Sequence, residues 1–480
     1  MAGYRWMRAG CLAGVAALLL GGGGCCRLPV ESDPQVESYL PVARTEIGGP
    51  ANATSASNAV LTVDACVRIA LDVNPACQAV REGLRGLDEA VQGARSSYYP
   101  QVTLNAAYSR WEMPAFLPAG LGPPGTGALS IGPMNDWSGS ARARWLLFDT
   151  GERVARLRAA LANRRAVASD VERVRQDMAL NVHRAFYTLA MALDGRTVAG
   201  ENLKRAEDHK RLASDRASAG AVPPVDVARS EVEVANGRLA CVRADSLVRT
   251  ARATLNTAMG LPAALQMVEI APGESALAPD ATALNAAVDW AAHARPEILA
   301  ALQRVAAARQ AVAAARSGFG PRLSAEGKYG WRDDRFLPER NDWLAGVALE
   351  VPLFSGFSTV HDVERLKAEL GRAEAETRGL VLAVEREVVA AQSHKAEAVA
   401  AADAAEALVR SAAETMRLAD ERYRAGAGTT ADFFDAQVAL DRAKFEVVTA
   451  RWDIRLADVE CRYAIGELMP PEPEKKSGGR

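Results

Sequence analysis

The sequence predicts a mainly helical protein that carries four short β-strands and is built as a tandem repeat. Three observations predict this fold class. Matching residues recur at constant offsets, two helical stretches run for more than 60 residues without proline, and four segments alternate between apolar and polar side chains. The chain has 480 residues, a net charge of -2 and 49% hydrophobic residues. This composition excludes a disordered chain and a basic nucleic-acid-binding protein.

The repeat is visible as two sets of equivalent positions. Pro75 opens a helical stretch that ends at Pro100, and Pro296 opens a second that ends at Pro321, 221 positions later in both cases. Further along, the offset becomes 206, for the pairs Leu147 and Leu353, Ala219 and Ala425, Asp226 and Asp432, and Gly260 and Gly466. The difference falls in a Pro/Gly-rich segment, 114–133, which we expect to be an exposed loop. The repeats therefore span 60–262 and 282–468, with a linker at 263–281.

Each repeat contains two predicted strands with one apolar face. They cover about residues 101–111 and 137–148 in the first repeat and about 322–332 and 342–353 in the second. Val102 and Leu104 alternate with Gln101 and Thr103, and the other segments follow the same period of two. The lengths suit tilted membrane strands, and tryptophans near the segment ends suit an aromatic girdle: Trp111, Trp137, Trp331 and Trp343.

Four strands are too few to close a membrane barrel, for which the minimum is about eight. The subunits must therefore pool their strands, and three chains would supply twelve. The alternative is a soluble sheet packed on a layer of helices. The charged side chains on the second face of each strand argue against that alternative, because no second apolar layer is available to cover them.

Very long helices follow each strand pair. Gly151–Ser218 and Ser358–Arg424 contain no proline and repeat their apolar residues at spacings typical of coiled coils. At 1.5 Å per residue, each is on the order of 100 Å long. After a sharp turn, shorter helices return along 225–259 and 430–465. A rod-like periplasmic coiled-coil scaffold would share these helices, but the strand pairs argue against it.

The N-terminus has the pattern of an export signal. Two arginines precede a short apolar run and a glycine run, which predicts a signal peptide over residues 1–24. Cys25 follows small residues, as at a bacterial lipoprotein processing site, although Gly22 stands where leucine is usual. We expect lipidation of Cys25, with plain cleavage as the alternative. Residues 25–59 are an expected extended segment, and 469–480 an expected disordered tail.

The sequence contains no motif for catalysis, a cofactor or a metal. The five histidines are isolated, and the seven cysteines lack C-x-x-C spacing, which argues against a zinc site. Cys66 and Cys77 could form a disulfide in an oxidising compartment or could simply be small helix residues. No phosphate-binding loop is present, so energy for transport must come from a partner. We expect a non-enzymatic protein without cofactor or metal and without a nucleic-acid partner.

The motif order resembles the TolC family of outer-membrane efflux proteins over residues 60–468. The similar segments are Tyr98-Tyr99-Pro100, Trp145 to Gly151, Pro352 to Gly356, Arg422 to Gly426 and Thr429 to Gln437. The resemblance implies a homotrimer with a 12-stranded β-barrel in the outer membrane and an α-barrel of 12 antiparallel helices crossing the periplasm. It also implies that a periplasmic adaptor (membrane fusion) protein and an inner-membrane pump are partners and that small molecules pass through passively.

The same resemblance identifies candidate gate residues at the helix tips. Asp432 and Asp435 match paired aspartates that ring the tunnel entrance, and Tyr423 and Asp226 match residues that hold it shut. Gly428 replaces the arginine that completes the latch, so Arg422 or Arg424 could serve instead. From the residues alone, Asp432 could equally act as a helix-capping carboxylate. Gly220 and Gly426 are predicted turn residues that adopt positive φ.

Two other functions fit the same sequence. The outer channel of a type I protein secretion system would share the fold, because the channel sequence hardly separates it from an efflux channel. A non-channel periplasmic scaffold would share the helices but would conduct no ions.

Overall fold

The computed structural model describes residues 61–114, 130–265, 270, 284–336 and 341–468. The predicted signal peptide, the predicted lipidation site Cys25, the N-terminal segment 25–59 and the tail 469–480 lie outside the described residues. Most of the predicted linker also lies outside them.

The helices and strands follow one another as two similar sets. The first repeat contains α1 (Val63–Val73), α2 (Pro75–Ser96), β1 (Gln101–Pro114), β2 (Ser130–Phe148), α3 (Glu152–Ser218) and α4 (Pro224–Ala258). The second contains α5 (Leu284–Ala294), α6 (Pro296–Arg316), β3 (Arg322–Asp333), β4 (Asp342–Glu350), α7 (Ser358–Arg424) and α8 (Thr430–Ala464). A short 3-10 turn, Ser317–Phe319, precedes β3.

The long helices confirm the predicted fold class. Helices α3 and α7 have 67 residues each, and α4 and α8 have 35 residues each, so both pairs match at the offset of 206. Local signals set the helix starts. Asn74 caps α2 by accepting the Ala76 N–H at 2.9 Å, and Pro75 occupies the first turn, where its missing N–H costs nothing.

The four strands form one antiparallel sheet in the order β1-β2-β3-β4. The register aligns Val102, Ala143, Gly327 and Ala345 in one row across the sheet, so the alternating apolar residues share a face. This face is open: Trp343 is 76% exposed and Val102 is 71% exposed. Within the described chain, β1 and β4 each have one edge without a strand partner.

The strand ends differ from the predicted ones. β1 continues to Pro114 and β2 already begins at Ser130. Part of the expected loop is therefore a two-stranded ribbon that extends past the end of β3. A register shift lies between Trp111 and Met113, and a proline is tolerated at such an irregularity. β4 ends at Glu350, short of the expected residue 353, because Pro352 has no N–H to donate to a ladder.

Alanine seams and one larger core hold the helices together. The main apolar cluster joins α1, α3, α4 and α8, with Phe186, Leu255 and Met259 nearly inaccessible to solvent. Away from it, the long helices bury mainly alanine, which lets helix axes approach closely. Cys66 and Cys77 are buried free thiols, and burial raises the pKa of Cys66 to about 11. None of the described helices has the length and apolarity to cross a bilayer.

Candidate functional site at the helix tips

Two turns at the same end of the molecule form the helix tips. The first joins α3 to α4 and the second joins α7 to α8. Gly220 has φ 70° and Gly426 has φ 78°, in the left-handed region that the turns require. Ala221 N–H donates to Arg216 O and Ala427 N–H donates to Arg422 O, both at 2.9 Å. The two tips therefore have matching backbone geometry, and their differences lie in the side chains.

The carboxylates of the second tip lie at the start of α8. Asp432 forms a capping box with Thr429: the Asp432 N–H donates to Thr429 Oγ1 at 3.1 Å, and Asp432 Oδ2 accepts the Thr429 N–H at 3.3 Å. These hydrogen bonds, helped by the charge of Arg422, hold the pKa of Asp432 below its usual value. Asp432 and Asp435 are both exposed. Asp432 thus serves as a cap while its charge stays available to solvent.

A cluster of four aromatic rings joins the two tips of one chain. We call His209, Tyr423, Phe433 and Phe434 the aromatic clasp. His209 of α3 stacks on Phe433 with ring centroids 3.9 Å apart, and it lies 4.9 Å from the Tyr423 ring and 5.1 Å from Phe434. Both His209 and Tyr423 are buried. Offset-stacked and tilted aromatic contacts of this kind add to the free energy gained from burial.

Arg216 also joins the two tips of the chain, and the sequence-based prediction did not include it. Its Nη1 donates to the Tyr423 carbonyl oxygen at 2.6 Å, and its guanidinium carbon lies 5.0 Å from the centre of the Tyr423 ring. Since Arg216 and Arg422 are equivalent at the offset of 206, comparing the two repeats would have found it. Arg216 places a cation beside Tyr423 in the tip that contains Gly428.

The other predicted latch residues form no hydrogen bond or ion pair with one another among the described residues. The Tyr423 hydroxyl is buried and has no hydrogen-bond partner among the described residues, so it makes no bond to Asp226 within the chain. Asp226 lies half-buried in the first turn of α4. Arg424 pairs with Asp420 of its own helix at 3.0 Å. In the described part of the chain, the side chain of Arg422 is exposed and makes no hydrogen bond or ion pair.

The imidazole of His209 is the unusual titratable group of the clasp. Burial lowers its pKa to about 4, and the negative charges of Asp420 and Asp226 oppose that shift only in part. His209 Nε2 is buried without a hydrogen-bond partner among the described residues. The ring is therefore neutral at neutral pH, which suits its stacking on Phe433.

Polar pairs continue the contact between α3 and α8 away from the tips. Arg205 binds Asp441 at 2.7 Å, Lys444 binds Glu201 at 2.8 Å, and Trp452 Nε1 donates to Asp194 at 2.9 Å. These contacts join residues of different repeats. Within the described ranges, no group of His, Cys, Asp and Glu side chains could hold a metal ion.

Comparison with known proteins gives a consistent match along the chain. A sequence model of the family described as "Outer membrane efflux protein" matches residues 66–261 and 287–467. The chain is 28% identical to Protein CyaE of Bordetella pertussis over 459 residues, covering 94% of this chain and 93% of that protein. It is 23% identical to Outer membrane protein TolC of Vibrio cholerae over 388 residues, covering 79% and 85%.

Solved structures match the fold over most of its length. CusC superposes with a TM-score of 0.74 at 14% identity, covering 88% of this chain and 95% of CusC. VceC of Vibrio cholerae superposes with a TM-score of 0.72 at 17% identity, covering 84% of this chain and 96% of VceC. At these identities the structures establish the shared fold.

Proposed function

Since the chain belongs to the outer membrane efflux protein family, we propose that it is one subunit of a homotrimeric channel through which a tripartite efflux system exports small molecules. The channel is passive, and the energy comes from an inner-membrane pump that is coupled through a periplasmic adaptor protein. The chain is an outer-membrane protein, with its sheet in contact with membrane lipid and its helices in the periplasm. Among its relatives, BepC of Brucella suis, 25% identical over 396 residues, is an outer membrane efflux protein.

The single observation that carries the proposal is that both the sheet and the helices of one chain have sides that lack a partner among the described residues. Among the described residues, β1 and β4 each have one edge without a strand partner, and the sheet presents an apolar face to solvent. Such an edge and such a face are unstable in water but suit a barrel in lipid, which has no edges. Three four-stranded sheets joined edge to edge would give twelve strands.

The helical layer has matching open sides. Helix α4 exposes Val225, Val232 and Leu239 at seven-residue spacing, each about half exposed. Helix α7 also exposes large apolar side chains, including Leu382, Val389, Leu408 and Leu418. Heptad spacing is the pattern of a coiled-coil seam that lacks its partner. A head-to-tail contact between α4 of one copy and α7 of the next closes into a ring.

The carboxylates at the tips supply a selective entrance in this proposal. A trimer would place three copies of Asp432 and Asp435 around one axis, which gives six exposed carboxylates. A ring of this kind attracts cations and repels anions. Asp226 and Tyr423 belong to the same constriction, with Arg216 holding Tyr423 in place.

Cys25 is proposed to carry a lipid anchor. A single lipid chain tethers a protein only weakly, so the anchor would assist insertion, while the barrel keeps the protein in the membrane. Mass spectrometry of the mature N-terminal peptide tests this assignment. An unmodified N-terminus other than Cys25 would refute it.

The channel function is tested by measuring the mass of the purified complex and its ion conductance. We expect the purified detergent complex to have the mass of three chains by light scattering and to give discrete, cation-preferring openings in a planar bilayer. Graded neutral polymers that enter or fail to enter the pore would then measure its width. Folded trimers that conduct nothing, with or without the tips cleaved off, would refute the channel and favour a scaffold.

A further inference from the structure

The segment that joins β4 to α7, residues 352–357, carries three large apolar side chains that are mostly exposed. Leu353 is 93% exposed, Phe354 is 75% exposed and Phe357 is 62% exposed. The two phenylalanine rings contact each other edge to face, with centroids 5.4 Å apart. A contiguous apolar patch is unfavourable in water and marks an interaction surface.

Phe357 occupies a backbone position that favours glycine. It is the N-cap residue of α7, with φ 64° in the left-handed region, and its side chain makes no capping hydrogen bond. At the offset of 206 the equivalent residue is Gly151, the N-cap residue of α3, with φ 95°. A bulky side chain in this region costs conformational free energy that glycine avoids. Because the ring of Phe357 is mostly exposed, burial within the chain offsets that cost only in part.

The equivalent junction of the first repeat shows which surroundings residue 357 faces. There, Thr150 Oγ1 donates to the Pro321 carbonyl at 2.8 Å, so the residue before the N-cap contacts the turn that leads into β3. A Cβ built on Gly151, in contrast, would meet no atom within 4 Å among the described residues. In the proposed trimer, the neighbouring copy would therefore contact Gly356, the counterpart of Thr150. The side chain of Phe357 would face away from that copy.

The apolar face of the sheet continues into this segment. Leu349, Val351 and Leu353 occupy alternate positions, and each is at least half exposed. Polar side chains return within two turns of α7, where His361 and Glu364 are both exposed. The patch therefore lies where a lipid-facing strand gives way to a periplasmic helix. Aromatic side chains are favoured at such a boundary, because it is apolar on one side and wet on the other.

We propose that Leu353, Phe354 and Phe357 form a membrane anchor outside the strands. They insert into the periplasmic leaflet of the outer membrane beside the barrel and contact the upper acyl chains of its phospholipids. This inference rests on the barrel of the proposed function. The anchor belongs to the second repeat, because the first has Gly151 in place of a ring and its Leu147 and Phe148 are less exposed than their counterparts.

Spin labels in the full-length trimer, reconstituted in phosphatidylethanolamine and phosphatidylglycerol vesicles, measure the depth of this segment. One nitroxide is attached at Phe357→Cys, at Val347→Cys in β4 or at Glu364→Cys in α7. Each variant lacks three native cysteines, through Cys26→Ser, Cys241→Ser and Cys461→Ser. Oxygen concentrates in lipid, so it should relax the labels at 357 and 347 more than a water-soluble nickel chelate does. The order should reverse at 364.

The label at 347 separates this inference from the channel proposal. Stronger relaxation by nickel at 357 would place the segment in water, and a label shielded from both agents would show that another copy covers it. Either result, with the label at 347 in lipid, would overturn this inference alone. A label at 347 outside lipid would refute the proposed barrel instead.

Two variants separate the ring of Phe357 from the strain of its backbone. Phe357→Gly relieves the strain, so the helices should unfold in detergent at the same or a higher temperature. Its ratio of membrane-bound to urea-extracted protein should still fall roughly tenfold, because burying one large apolar side chain contributes about that factor. Phe357→Leu keeps both the apolar side chain and the strain, and it should be extracted as the wild-type protein is. A glycine variant held as firmly as the wild type would contradict the anchor.

Discussion

At the scale of single residues, the tips carry side chains that stabilise the fold and, in the proposed channel, also line the entrance. Asp432 caps α8 through Thr429 and still exposes its charge. His209 is neutral because it is buried, and its neutrality allows it to stack on Phe433. Each of these residues can therefore be changed in a way that separates its two roles.

The proposed ring of Asp432 and Asp435 carboxylates predicts block of the pore by divalent cations. Asp432→Asn with Asp435→Asn should weaken that block, because the amide oxygen at 432 can still accept the Thr429 N–H while the charge is lost. Single-channel current at increasing divalent cation concentration measures the effect. Thr429→Ala is the control: it should cost about 1 kcal/mol of helix stability and leave the block unchanged. Full block in the double variant would place the constriction elsewhere.

His209 predicts loss of stability at the tips in acid. Its pKa in the folded chain is about 4, below the ordinary value of 6.5. Between these values the unfolded state binds more protons, so stability is complete above pH 6.5, declines as the pH falls, and is lost near pH 4. The contribution is on the order of 3 kcal/mol. Protease cleavage at the tips at pH 7.5 and 4.5 measures it.

The variants for this test are His209→Phe and His361→Phe. The first keeps an aromatic ring in the clasp and should remove part of the acid sensitivity. The second changes an exposed histidine and should behave as the wild-type protein does. Equal acid sensitivity in all three proteins would show that the clasp does not depend on the charge of His209.

At the scale of elements, the junction between strand and helix differs between the repeats. In the first, Arg153 binds Asp149 at 3.1 Å and donates to the Leu146 carbonyl at 2.6 Å, and both side chains are nearly buried. The equivalent residues of the second repeat are Thr359 and Ser355, joined by one hydroxyl contact at 3.0 Å. The first junction is therefore held by an ion pair, whereas the second has only a hydroxyl contact.

Arg153→Met should loosen the first junction markedly. Removing one partner of a buried ion pair leaves the other charge unpaired, at a cost of about 3 kcal/mol. Hydrogen exchange of the amides from 146 to 156 should become faster by a large factor. Thr359→Ala, at the equivalent position of the second repeat, should change exchange there only slightly. Equal effects in the two variants would show that the Arg153–Asp149 ion pair does not stabilise the first junction more than the hydroxyl contact stabilises the second.

At the scale of the whole molecule, one chain leaves parts of its sheet and helix surfaces without a packing partner among the described residues. The proposed cyclic assembly would explain together the strand edges that lack a partner among the described residues and the exposed heptad residues of α4. The assembly should therefore be as sensitive to the α4 surface as to the sheet.

Charges on that surface should dissociate the trimer. Val232→Glu with Leu239→Glu places carboxylates in the apolar seam, where burying an unpaired charge is costly. We expect the mass in detergent to fall from three chains to one, measured by light scattering. Leu239→Met preserves volume and apolarity and should remain trimeric. A trimer that tolerates both glutamates would show that α4 faces solvent or another partner.

The sequence by itself determined the repeat, the long helices and the four strands, because these follow from periodicity, proline spacing and turn residues, which act over short stretches of chain. It also placed Asp432 in a helix's first turn. Only the tertiary structure decided that Arg216 and His209 meet Tyr423 and Phe433, and that β1 and β2 extend as a ribbon. The contacts of Arg216 and His209 join residues about 200 positions apart, and their existence depends on how two helical hairpins pack, which no local pattern encodes.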